Sequence, residues 1–316
     1  MTSQSPGLFV EVGCPVCGER DAKVLRDANY PENASLAELQ SAYRASSDHV
    51  LLDRVVKCSR CHMVYLSPQL DARLIEGGYE AVEDPVFVAQ NPQRIRTFSR
   101  SIRSILKQTG LNPKGKRLLD IGCAGGAFLV AAREAGFEVQ GVEPSIWLSD
   151  YGRKEYQLDI QQGILRPGMF SENSFDVISY WDVIEHISDP KEALALVRSL
   201  LKPDGYLWVN YPDIGSLVAK ALGWRWPFWL SVHLNYYDRE TMSRQLTEAG
   251  FSVLSIRPHW QELQLGYILQ RAGQLVPPFK ILEKTVEAIG LGKMPFNYWM
   301  GQTMVLARVL AGKAAR

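Results

Sequence analysis

The sequence predicts an α/β protein in which helices cover both faces of an open, mostly parallel sheet, preceded by a small metal-binding module. Three observations carry this expectation. Two Cys-x-x-Cys pairs stand near the N-terminus, and strand and helix signals alternate from Lys116 onward. A glycine-rich turn follows the first of those strands, with an acidic residue, Glu143, 23 positions after Asp120. Composition allows a sizeable core, since 46% of the 316 residues are apolar and 22% charged. Thirty-five Lys and Arg against 34 Asp and Glu leave a net charge of +1. That balance argues against a surface that coats nucleic acid or anionic lipid as a whole. No run approaches the roughly 18–20 apolar residues of a spanning helix, so no transmembrane segment is expected. The opening stretch MTSQSPGLFVEVG has neither a basic leader nor a long apolar run. Five cysteines fall as two pairs and a single, which suits a reducing, cytoplasmic setting.

The first element is the cysteine module. Cys14 and Cys17 sit in CPVCG, Cys58 and Cys61 in CSRCH. A turn with two intervening residues aims both thiolates at one ion, and two such turns complete the tetrahedral four-sulfur set that zinc prefers. A closed set leaves no position for water, so the zinc is expected to be structural. Redox-active thiols are the rival, but a redox motif needs one pair rather than two. The 40 residues between Cys17 and Cys58 are expected to hold a helix from Ser35 to Ala45, with Ser35 and Glu38 as its capping box. His62, next to Cys61, is read as a bystander.

The second element is a nucleotide-type βαβ unit. Arg117–Ile121 reads as a short buried strand, Gly122-Cys123-Ala124-Gly125-Gly126 as a turn without bulky side chains, Ala127–Ala135 as a helix, and Glu138–Val142 as a strand ending in Glu143. Glycines between strand and helix let a ligand approach the backbone at the helix N-terminus. An acid at the end of the second strand is placed for ribose hydroxyls. Together these point to an adenosine-type ligand. A dehydrogenase would place glycines at offsets one, three and six; from Gly122 the later two fall on Ala124 and Ala127.

Here the chain resembles the class I S-adenosylmethionine-dependent methyltransferases, over about residues 76 to 312. The family's first motif, Asp/Glu-x-Gly-x-Gly-x-Gly, corresponds to Asp120, Gly122, Ala124 and Gly126, with alanine at the middle glycine. Glu143-Pro144-Ser145 resembles its ribose-binding acid and the N-cap of the next helix. Phe175–Ile178 fits strand four and Trp181–His186 the loop at its end. A helix from Asp189-Pro190 to Leu201, a Lys202–Gly205 turn and a strand Tyr206–Tyr211 follow. The resemblance implies a Rossmann-like seven-stranded methyltransferase sheet with S-adenosylmethionine held by Asp120, Gly122, Cys123, Ala124, Gly126, Glu143, Pro144, Ile164 and Trp181. Ile164 stands where the family's adenine-binding acid should follow Gly163, so adenine is expected to be held by apolar and backbone contacts, with Ile146 or Trp147 as neighbours.

Open α/β sheets place their chemistry beyond the C-terminal strand ends, which selects Tyr180–His186 and the chain after Tyr211. His233, in SVHLNYYD before a helix at Arg239–Ala249, and the paired cysteines are similar to the zinc-carrying methyltransferases of sugar and specialised metabolism. In those a histidine before an aromatic pair is the base. The resemblance implies His233 as base and His186 as a second active-site histidine, although the family's Tyr-x-Glu-His is here Leu230-Ser231-Val232-His233. Either imidazole titrates near working pH. The segment Gly223–Leu230, with four aromatics, reads as pocket wall, lid, membrane contact or core packing. Arg94, Arg96, Arg100, Arg103 and Lys107 decorate a helix with Ile95, Phe98, Ile102 and Ile105 on its other side, a lid whose charges face solvent or bind phosphate.

The expected organisation is a zinc ribbon at 1–75, a helical linker or lid at 76–115, a cofactor-binding core at 116–260 and, at 261–316, a helical appendage with a final edge strand at Gln302–Val309. The appendage is read as substrate-side or oligomer-forming. The expected activity is methyl transfer to a hydroxyl or activated carbon of a small molecule, a sugar or specialised metabolite. An RNA methyltransferase is the alternative, weakened by the charge balance and by Tyr180-Trp181-Asp182-Val183 standing where a base-stacking Asn/Asp-Pro-Pro-Tyr/Phe tetrad would be. A non-catalytic scaffold ranks third, because the glycine turn and Glu143 are intact.

Overall fold

A computed structural model describes residues 8–30, 51–71, 74, 79–275 and 278–310. The helix expected at Ser35–Ala45 lies outside the described residues. The N-terminal part contains short strands β1 (Phe9–Val10), β2 (Ala22–Arg26), β3 (Val55–Cys58), β4 (Val64–Leu66) and β5 (Gln69–Leu70). Helices α1 (Pro85–Val88) and α2 (Asn91–Thr109) follow. α2 carries Pro92 in its first turn, where a missing N–H is harmless, and stops at Gly110 with φ 68°. Its Ile95, Phe98, Ile102 and Ile105 pack on the next helix as the apolar spacing requires.

The central sheet then forms from β6 (Arg117–Ile121), α3 (Ala127–Ala135), β7 (Glu138–Glu143), α4 (Ile146–Tyr156), β8 (Ile160–Gln162), β9 (Phe175–Trp181), α5 (Pro190–Leu200) and β10 (Leu201–Pro212). With the later strands β12 (Phe251–Pro258) and β15 (Gln302–Val309), strand order is β12-β15-β10-β9-β6-β7-β8, and β6 to β10 pair in parallel. The winding reverses between β6 and β9, the switch point where such sheets open a crevice. The expected Lys202–Gly205 turn is an irregularity inside β10, where pairing with β9 jumps from Leu201 to Tyr206. At the far end of the sheet Lys116 and Lys202 grip Asp176 at 3.0 and 2.7 Å.

After β10 come α6 (Leu217–Leu222), β11 (Asn235–Tyr236), α7 (Arg239–Glu248), β12 (Phe251–Pro258), β13 (Gln261–Gln264), α8 (Leu265–Leu275), α9 (Pro278–Ala288), β14 (Pro295–Tyr298) and β15 (Gln302–Val309). Two expectations are corrected here. β15 lies antiparallel between β10 and β12, so β12 rather than β15 is the edge. The reason is burial: Gln302 to Ala307 are covered on both faces, as an internal strand demands. The appendage is not all helix either, because its two ends pair as the antiparallel hairpin β13–β14. Strands of four residues are too short to announce themselves by alternation.

β11 also joins a sheet far from it in sequence. The N-terminal module's sheet runs β11-β4-β3-β2, with Asn235 opposite Tyr65 and Tyr236 opposite Val64. Leu66 N–H donates to Leu234 O at 3.0 Å and Leu52 N–H to Ser231 Oγ at 2.9 Å. Cys14, Val16, Met63 and Tyr65 share one core with β9, β10 and Tyr237.

Candidate active site

The crevice is built on local chain geometry. Gly122 and Cys123 N–H both donate to Val142 O, at 2.8 and 3.2 Å, which lays the loop after β6 across the end of β7. Gly122, Ala124 and Gly126 all have left-handed backbone, with φ of 69°, 46° and 82°. Ala124 therefore holds the middle-glycine conformation at a cost glycine would not carry, on the order of 1–2 kcal/mol. Glu143 is buried and ties the loop down: Oε2 accepts from Ala124 N–H at 2.7 Å and Oε1 from Ser145 N–H at 2.9 Å. Burial pushes its carboxyl up to about 7, against the pull of those two backbone donors. Ser145 caps α4 through Leu148 N–H. Asp120, buried beneath the loop, accepts from Ser179 Oγ across the switch point at 2.7 Å.

Beside Glu143 lies a cavity of about 230 Å³ lined by Pro144, Gly163, Ile164 and, from before the core, Glu80. Another hollow of about 540 Å³, with Ile146 and Trp147 in its wall, also has Glu80 at its rim. Of the residues expected at the cofactor, two side chains point elsewhere. Cys123 packs toward Gly141, where an added Cβ would come within 2.6 Å of its sulfur, so only its backbone can face a ligand. Trp181 is taken up by Phe98, Phe128 and His259, with ring centroids 4.9–5.3 Å away. Glu80 had no sequence signal, because it precedes the core and reaches it only through the fold.

The four module cysteines converge. Cys14 and Cys61 sulfurs lie 3.3 Å apart, Cys17 and Cys58 3.5 Å, and all four lie within 4.8 Å of one another. A tetrahedral shell with Zn–S bonds near 2.3 Å sets sulfurs about 3.8 Å apart, so the donor set fits zinc. Burial pushes Cys14 and Cys61 up, Cys61 to about 11, which leaves thiolates there in need of a cation. Gly18 and His62 occupy matching places after each pair, at φ 75° and 63°. His62 thus closes a turn, is exposed, and is not among the grouped ligands.

The loop after β9 brings the two expected histidines together. Asp182 turns it, at φ 55°, with its carboxylate held by Asn210 Nδ2 at 2.7 Å. Burial raises Asp182 to about 6 despite Arg94 nearby. A 3₁₀ turn, Ile184–His186, follows. The rings of His186 and His233 meet edge to face at 4.7 Å. His186 Nδ1 lies 3.0 Å from Val232 O and 2.9 Å from Tyr79 Oη; His233 Nδ1 lies 2.8 Å from Phe228 O. Burial lowers His186 to about 4 and His233 well below its ordinary value, so both rings are neutral near pH 7. In the aromatic segment Trp226 is buried and donates to Met300 O at 2.8 Å, whereas Trp224 is 47% exposed under Arg26.

Sequence relationships agree with this geometry. Residues 90–256 match the Methyltransf_23 family, described as a methyltransferase domain. The chain belongs to that family. This methyltransferase-family chain is 32% identical over 106 residues to a ubiquinone biosynthesis O-methyltransferase of Actinobacillus pleuropneumoniae serotype 7, covering 30% of the chain and 45% of that protein. It is likewise 32% identical over 125 residues to the Coxiella burnetii (strain Dugway 5J108-111) protein of that name, covering 38% and 50%. The match therefore takes in about half of each relative's length. A chain from the complex of the Haloferax volcanii Trm112 methyltransferase activator with a methyltransferase superposes at a TM-score of 0.50, with 13% identity over 73% of this chain and 97% of that one. That likeness concerns the fold alone.

Proposed function

We propose that the protein is an S-adenosylmethionine-dependent methyltransferase acting on a small molecule. The observation that carries it is the buried Glu143 carboxylate at the switch point, drawn onto the left-handed Gly122–Gly126 loop by Ala124 N–H. A carboxylate so placed accepts from ribose hydroxyls. Asp120 and Ser179 brace the loop; Gly122, Ala124 and Gly126 leave backbone room for the methionine end. Pro144 and Ile164 flank the adenine, and Glu80 stands in for the acid missing after Gly163. When bound, the cofactor supplies a methyl on a sulfonium; the acceptor's lone pair forms the new bond, the S–C pair returns to sulfur, and the acceptor's proton leaves. Holding two reactants in line is worth ~7–11 kcal/mol, and a base adds about 10²–10⁴-fold. His233 is assigned as that base, with His186 beside it: each Nδ1 faces a carbonyl, which leaves Nε2 as a lone pair. The four cysteines hold a structural zinc.

The acceptor class favoured is a hydroxyl, or an activated carbon, of a sugar or specialised metabolite. The relatives named for ubiquinone biosynthesis methylate oxygen by name, which favours oxygen here. RNA is disfavoured because Arg96 and Arg100 of the basic helix are committed to Glu262 at 2.6 and 2.8 Å. Self-association, if present, would use α9 and its neighbours, where Ile281 and Ile289 are 73% and 63% exposed. The test is His233→Ala assayed with labelled cofactor against a metabolite extract and against RNA. Turnover on metabolites should fall at least 100-fold while cofactor affinity stays within a few-fold; equal loss of both would make His233 structural.

A further inference from the structure

We propose that Glu185, His186 and His233 form a divalent-cation site on the acceptor side of the crevice, distinct from the four-cysteine centre. It rests on the reading of this loop as the acceptor side and deepens it: with an ion bound, His233 acts on the acceptor's proton through that ion, and without one it is the base assigned above. One donor atom from each residue lies within 4.8 Å of the others. His186 Nε2 and Glu185 Oε1 are 4.0 Å apart. A carbonyl oxygen can only accept, so Val232 O and Phe228 O require both Nδ1 atoms to carry the proton. Both Nε2 atoms are then bare lone pairs. A histidine that donates its other N–H to a backbone carbonyl is the usual outer support of a metal ligand.

The carboxylate points the same way. Glu185 is 2% exposed, yet neither of its oxygens has a hydrogen-bond partner. An unpartnered buried carboxylate is costly unless a cation meets it. No Lys or Arg approaches within ion-pair distance among the described residues; the neighbour in that range is His186. Asp182 adds another carboxylate to the same loop. Two imidazoles and an orphaned carboxyl group therefore make a buried donor cluster; burial and Asp182 push Glu185 toward its protonated form, and a bound cation would hold it ionised.

The donors differ from those of the cysteine centre in kind. Two imidazoles and one carboxylate suit Zn²⁺, Fe²⁺, Mn²⁺ or Co²⁺ and leave coordination positions open, whereas four thiolates select soft ions and close the shell. Bonds near 2.1 Å bring neighbouring donors to about 3 Å, so the side chains close by roughly an ångström on binding. An acceptor hydroxyl at an open position would ionise near neutral pH, as metal-bound water does, and its proton would pass to solvent. The carbon–oxygen bond then forms as the sulfur–carbon bond breaks, with no redox change.

The test uses the whole chain dialysed to one zinc per chain and titrated with Mn²⁺, followed by loss of the free-ion electron-resonance signal, and separately with Co²⁺, followed by its visible bands. Uptake of one ion beyond the structural zinc, weakened at least tenfold in Glu185→Gln and in His233→Ala, is the expected result. Zinc content and cofactor binding by calorimetry report whether each variant is folded; should His233→Ala fail there, His186→Gln takes its place. Absence of uptake of either ion, or uptake unchanged in the variants, overturns the site. A wild-type protein that takes the ion but binds no S-adenosylmethionine would overturn the methyltransferase reading instead.

Discussion

At the end of β7 one carboxylate does two things that pull against each other. Burial raises Glu143 to about 7, while the ribose hydroxyls proposed to meet it would be bound best by its ionised form. The sign follows directly. Raising pH from 6 to 8 takes the group from mostly protonated to mostly ionised, so cofactor affinity should rise about tenfold over that range. Calorimetry at the two pH values checks it, and Glu143→Gln should bind weakly with no such rise. In the free fold the same raised value acts oppositely: its stabilisation is fully present below the unfolded pKa and is lost as pH climbs through about 7. His186, lowered to about 4 by burial, contributes stability above its unfolded value that is lost as pH falls through about 4. Gly126 is another residue that admits no freedom. At φ 82°, a Cβ there would lie 2.3 Å from Leu158 Cδ1, so Gly126→Ala should lower Tm by several degrees and weaken cofactor binding together.

Among the elements, the most consequential pairing is β11 with β4. Two residues after His233, Asn235 enters the sheet whose strand β3 ends on Cys58, one of the four clustered cysteines proposed to hold zinc. Zinc removal should therefore speed hydrogen exchange at 231–237 as well as at 14–26 and 55–66, leaving β6, β7 and β9 protected. Exchange confined to the cysteine turns would show that the metal does not brace the histidine loop. How much of this could be read in advance follows from the range of each contact. The β6–loop–α3–β7–Glu143 unit is continuous in the chain, so spacing alone disclosed it. The two Cys-x-x-Cys turns were legible because each is local and the pairs match. Pairing of a two-residue strand with a partner about 170 positions away leaves no periodic trace. Glu80 and Glu185 carried no signal for related reasons. Glu80 reaches its cavity only by folding, and Glu185 is, along the chain, an ordinary polar residue before His186. The order of β15 and β12 was likewise fixed by burial on both faces, which an apolar run states without saying which neighbour it has.

For the molecule as a whole, the basic helix and the C-terminal hairpin are clasped by one acid. Glu262 on β13 holds Arg96 and Arg100 of α2, and Arg100 also donates to Asn297 on β14. The arginines are half exposed, so screening keeps the gain modest, about 1 kcal/mol. Glu262→Gln should lower Tm by about 2–4 °C, measured by thermal unfolding, and the difference should shrink in high salt; a drop insensitive to salt would assign the residue to packing instead.

The shared sheet also sets a timetable for synthesis. All four sulfurs have emerged from the ribosome long before the strand that flanks Val64 and Tyr65 exists. Until then the nascent chain carries an uncovered β edge, open to pairing with another chain. A fragment ending near residue 75 should accordingly associate or precipitate even with metal supplied.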